Sequence, residues 1–81
     1  MKIYVEYYGI HEQVCGTRAE LLHDADIVTV DDAIDCLVRS HAGLVAHRGH
    51  MAYAVGEELI SESTRLTDGC VLALLPPVSG G

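Results

Sequence analysis

The residues best suited to covalent chemistry lie at the end of the chain, in LLPPVSGG, residues 74–81. Pro76 and Pro77 have no amide proton, so they end a sheet ladder and hold the following residues extended. Gly80 and Gly81 carry no Cβ, which lets bare backbone enter a channel too narrow for side chains. Such a tail delivers the α-carboxylate of Gly81, ionised at neutral pH because its reference pKa is about 3.3–3.7. A carboxylate is a weak electrophile and must first be activated, typically as a mixed anhydride with a nucleotide phosphate. The chain has no glycine-rich phosphate loop, so a partner enzyme has to supply the activation. Composition alone favours the plainer alternative, a tolerant chain end that happens to be Gly-Gly.

The other candidates for chemistry are weaker. His47 and His50 stand three apart with His41 upstream, but without a helical ligand spacing or a neighbouring acid they read as solvated loop histidines and no metal site is expected. Cys15, Cys36 and Cys70 are odd in number and widely spaced, a pattern of free thiols in a reducing cytosol. Cys70 opens an apolar run and reads as a small, half-buried hydrophobe with no base to activate it. The pairs Asp31-Asp32 and Glu57-Glu58 diverge as neighbours do in regular structure, so capping or solvation suits them better than acid–base work.

Bulk properties narrow the field further. At 81 residues the chain is one domain near the size where a single core becomes marginal. It lacks Trp and Phe, so an aliphatic core with some of the four Tyr must hold it, leaving little room for a deep pocket and counting against a self-contained enzyme. Twelve acids against five bases give a net charge of −7; Lys2 is the single lysine and the arginines are scattered. Nucleic acid needs clustered cations for counterion release and is excluded as a direct partner. The N-terminus has no apolar signal stretch and no run approaches the ~20 residues of a membrane span, so a soluble cytoplasmic protein is expected.

The elements that position the tail can be read in order. KIYVEYY alternates strictly, with Ile3, Val5 and Tyr7 opposite Tyr4, Glu6 and Tyr8, and predicts a first strand. Ile10 to Gly16 reads as a connection and Arg18 to His23 as a returning antiparallel strand. Thr29 with Asp32 approximates a capping box, and Val30, Ala33, Ile34, Leu37, Val38 and His41 form one helical stripe that Gly43 would stop. After a polar link over 46–50, MAYAV predicts a strand, Gly56-Glu57 a turn and Leu59-Ile60 a short return. Leu66 to Gly69 is a turn, and CVLALL predicts a central strand covered on both faces or nearly so. The order β-β-α-β-β-β, with one helix across a mixed sheet, predicts an α+β, β-grasp domain over 1–75 and a tail over 76–81.

LTDGCVLALLPPVSGG resembles the C-terminal signature of the small, sulfur-carrying subunit of molybdopterin synthase: the turn at 66–69, the apolar strand, Pro76-Pro77-Val78 and Gly80-Gly81 all match. MAYAVGEELI is similar to the strand–turn–strand before it and MKIYVEYYG to the opening strand, so the resemblance spans the chain. The sequence departs from the pattern at His11-Glu12, where the family often has Arg-Glu, in a connection one residue longer, and at Leu74-Leu75, a frequently aromatic pair. The resemblance implies the ubiquitin-like fold and a mechanism. An adenylating enzyme of the ubiquitin-activating type activates Gly81 with ATP. A sulfur donor, a cysteine desulfurase or rhodanese, converts it to a thiocarboxylate, and the large synthase subunit uses that sulfur to build the molybdopterin dithiolene. On this reading the chain binds no cofactor and has no catalytic side chains. Gly81 reacts, Gly80 gives access, and Leu75, Pro76, Pro77, Val78 and Leu59 are the candidate docking residues, with Leu75 and Leu59 equally suited to the core. A protein modifier conjugated through Gly81, or a carrier for thiamine, tRNA thiolation or a tungsten cofactor, uses the same first step.

Overall fold

A computed structural model of the protein describes residues 1–77. The alternation at the start of the chain becomes β1 (Lys2–Tyr7), with Ile3, Val5 and Tyr7 buried and Lys2 and Tyr4 exposed. The elements α1 (Ile10–Cys15), β2 (Ala19–His23) and α2 (Val30–Ser40) follow, then a 3-10 helix (Ala42–His50), β3 (Ala52–Val55), β4 (Glu58–Ile60) and β5 (Val71–Leu75). The five strands form one sheet in the order β2-β1-β5-β3-β4. β1 and β5 run parallel at its centre, and every other pairing is antiparallel. This is the expected β-grasp arrangement, with the first and last strands side by side.

The main helix forms where its cap predicts. The Thr29 hydroxyl accepts the Asp32 amide at 3.2 Å, and the Asp32 carboxylate accepts the amides of Thr29 and Val28, each at 2.9 Å. Those amides, Thr29 first, hold the Asp32 carboxyl below its ordinary range. Val30, Ala33, Ile34 and Leu37 then line the buried side of α2 and pack in one core with Ile3, Val5, Tyr7, Leu72 and Leu74. Each fully buried Leu, Ile or Val in such a core contributes about 1.5–3 kcal/mol.

Four local expectations need correction. The segment from Ile10 is a six-residue helix rather than a plain connection; isolated, it would not persist, but His11 is buried and Val14 and Cys15 pack on the core. Gly43 does not stop α2. The helix ends at His41, and Gly43 lies inside the 3-10 helix that replaces the polar link over 46–50. A Cβ at Gly43 would come within 2.9 Å of Val14 Cγ1, so the glycine serves the close approach of this segment to α1. The last strand is central but not covered on both faces: Leu72 and Leu74 are buried, whereas Val71 is exposed and Ala73 and Leu75 are half-buried.

Candidate functional site: the open sheet face and the root of the tail

Register decides which side chains share the face of the sheet away from α2. Tyr4 stands opposite Leu21 on β2 and Val71 on β5. Ala73 stands opposite Glu6 and Ala54, Ala54 opposite Leu59, and Leu75 opposite Ala52. Side chains alternate between faces, so these residues lie together on one surface. Its large members are strongly exposed: Leu59 by 62%, Leu21 by 52%, Tyr4 by 49% and Val71 by 42%. On a small acidic domain these exposed apolar side chains make this surface a candidate interaction face.

The chain leaves the sheet at the end of β5, one strand of this surface. β5 pairs with β1 as far as Leu74 and with β3 as far as Leu75, after which Pro76 and Pro77 are exposed. The Leu74 carbonyl accepts the Tyr8 amide at 3.1 Å and lies 3.3 Å from His11 Nδ1. A carbonyl only accepts, so Nδ1 carries the proton. The His11 side chain is 1% exposed, and burial holds its pKa below the usual imidazole value. The His47 ring meets it edge-on at 5.9 Å. Gly9 has φ 59°, and a Cβ on it would fall 2.7 Å from Pro76 Cγ, so the proline ring occupies the notch the glycine leaves.

The remaining polar groups satisfy the fold. The Tyr7 hydroxyl donates to Glu20, and His41 Nε2 lies 2.8 Å from the same carboxylate oxygen at the end of α2. Burial and then the Glu20 contact push the Tyr7 pKa up, so the phenol stays protonated. Arg48 bridges Asp31 and Asp35 across the surface. Cys15, Cys36 and Cys70 are free and half-buried, and among the described residues no three His, Cys, Asp or Glu side chains gather as a metal cage. No helix among them is long and apolar enough to cross a membrane.

Of the residues singled out in the sequence, Leu59 and Leu75 share the open face, two strands apart, and Pro76 and Pro77 stand at its edge. Leu59 therefore belongs to the surface rather than the core. Val78, Gly80 and Gly81 lie outside the described residues. Sequence reasoning missed Leu21, Tyr4 and Val71 on the face and Gly9 and His11 at the root. Two signals pointed to the face: the tyrosines on the outward side of β1, and the unbroken apolar run of β5, whose odd members had to face somewhere.

A ubiquitin-like β-grasp domain with an open apolar sheet face, whose last strand is followed in the sequence by a Gly-Gly ending, defines a class of small carrier proteins. Within that class the chain belongs to the ThiS family, whose model matches residues 5–81. The molybdopterin synthase sulfur carrier subunit of Chlamydomonas reinhardtii is 25% identical over the full length of both chains. SAMP1, the small archaeal modifier protein 1 of Haloferax volcanii, is 28% identical with a TM-score of 0.83, again covering both chains completely. A chain from the Helicobacter pylori complex of subunits 1 and 2 of molybdopterin-converting factor is 27% identical, with full coverage of both and a TM-score of 0.67.

Proposed function

We propose that the protein is a sulfur carrier, the small subunit of a molybdopterin synthase, that works through the carboxylate of Gly81. The observation that carries this reading is the root of the tail: an apolar strand of the open face that runs into Pro76-Pro77, with VSGG following in the sequence. In the proposed cycle the Gly81 carboxylate attacks the α-phosphorus of ATP in an adenylating partner and displaces pyrophosphate. The persulfide of a donor protein, a cysteine desulfurase or rhodanese, attacks the acyl-adenylate carbonyl and displaces AMP. A thiol reductant cleaves the S–S bond of the resulting acyl disulfide to leave the thiocarboxylate, and the large subunit transfers that sulfur to the dithiolene. The catalytic groups belong to the partners, and the chain contributes the reacting carbonyl, the narrow Gly80-Gly81 end and the docking face. Leu59, Leu75, Pro76, Pro77 and Val78, joined by Leu21, Tyr4 and Val71, are the residues proposed to meet the partners. The matched Chlamydomonas protein is a sulfur carrier subunit and the Helicobacter structure a complex of subunits 1 and 2, both in keeping with this assignment.

A second reading, conjugation of Gly81 to lysines of other proteins, is favoured by the similarity to a modifier protein. The two part after the adenylate. In cells that depend on this chain for molybdenum cofactor, deleting Gly81 or adding one residue after it should abolish cofactor synthesis. Undiminished synthesis refutes the carrier reading, and isopeptide-linked adducts that vanish with the same changes favour the modifier.

A further inference from the structure

The sheet ladder cannot by itself aim the tail. Its last bonds to β1 are at Leu74, and the next two residues after Leu75 have no amide proton to give. What fixes the exit is a single turn on the neighbouring strand's end. Tyr8 donates its amide to the Leu74 carbonyl, His11 brings Nδ1 to the same oxygen, and Gly9 leaves the notch that seats the Pro76 ring. An apolar side chain would fill the His11 site without the cost of burying a polar ring, so the bond to Leu74 is what the imidazole adds there.

Building on the carrier reading, we propose that Gly9 and His11 are positioning residues: the turn Tyr8–His11 is a guide that sets the direction of the tail, so that Gly81 enters the activating enzyme's site while the sheet face is docked. The lever is long. Gly81 is five residues beyond Pro76, a reach of at most about 17 Å at about 3.4 Å per residue, so a tilt of about 10° at the root sweeps the end through about 3 Å. Misplacement by about 1 Å can cost a reaction on the order of a hundredfold. Loss of the guide therefore lowers turnover and leaves the docking face intact.

The test is a steady-state ATP–pyrophosphate exchange assay with the adenylating enzyme and the full chain as substrate, on variants whose folding is checked by thermal melts. Gly9→Ala and His11→Phe should each lower kcat by about tenfold or more with KM changed less than about twofold, whereas His11→Asn, which can return an N–H to Leu74, should recover most of the loss. Because Gly9→Ala acts through the Pro76 ring, its effect should shrink to less than about twofold in a Pro76→Ala background, where backbone strain at the positive φ is unchanged. Turnover within about twofold of wild type for both single variants, or an equal Gly9→Ala effect in both backgrounds, overturns the guide. A wild-type chain that supports no exchange refutes the carrier reading instead. The guide is then judged on the nuclear Overhauser contact between Gly9 Hα and Pro76 Hγ, whose presence supports it and whose absence overturns it.

Discussion

Replacing Leu59 by Ala should separate docking from folding. Leu59 sits on the edge strand β4, opposite Ala54, with 62% of its surface exposed. Burying a whole leucine is worth about 1.5–3 kcal/mol, so covering the exposed share against a partner is worth roughly 1–2 kcal/mol. That corresponds to a loss of about five- to thirtyfold in affinity for the large synthase subunit, read by titration calorimetry with a less negative heat-capacity change. The folded monomer has little to lose at this position, since surface substitutions stay within about 0.5 kcal/mol, which for a domain of this size moves Tm by no more than about 4 °C. Unchanged affinity with unchanged Tm would remove Leu59 from the interface. A Tm fall of about 10 °C or more would mean that Leu59 is packed in the fold, and the reading of the open face would fail.

The opposite result is expected at Leu37, 1% exposed on the core side of α2: Leu37→Ala should cost about 2–5 kcal/mol in chemical denaturation, a large part of the roughly 4–12 kcal/mol available to 81 residues. Arg48→Ala should cost less than about 1 kcal/mol in the same assay despite breaking two ion pairs, because Asp31 and Asp35 are more than half exposed. His11 gives a pH signature. Its folded pKa lies below the usual 6.5, so the unfolded chain binds more protons as pH falls through that value. Its contribution is complete well above 6.5 and is lost as pH falls from there through the lower folded value, and His11→Asn should flatten that acid-side part of a Tm-against-pH series.

How far the sequence reached depends on which forces are local. β1, the capped start of α2 and the Pro-Pro end of β5 follow from alternation, a side-chain cap and a missing amide, each visible within a few residues. The helix α1 was hidden because IHEQVC is too short to persist alone and has no side-chain cap at Gly9; the buried His11 holds it from outside. Gly43 carried the signature of a helix stop, but its small size answers to Val14, twenty-nine positions away. The open face was concealed by its own composition. Leu21, Tyr4, Val71 and Leu59 look like core, and the pairing register, which one strand cannot reveal, turns them to the surface.

The central claim is most directly tested by the intact mass of the protein after incubation with an adenylating enzyme, ATP and a sulfur donor. The account predicts exchange of one oxygen for sulfur, localised to Gly81 by fragmentation and lost when Gly81 is deleted. An unchanged mass under conditions in which the same enzyme adenylates the chain would contradict it.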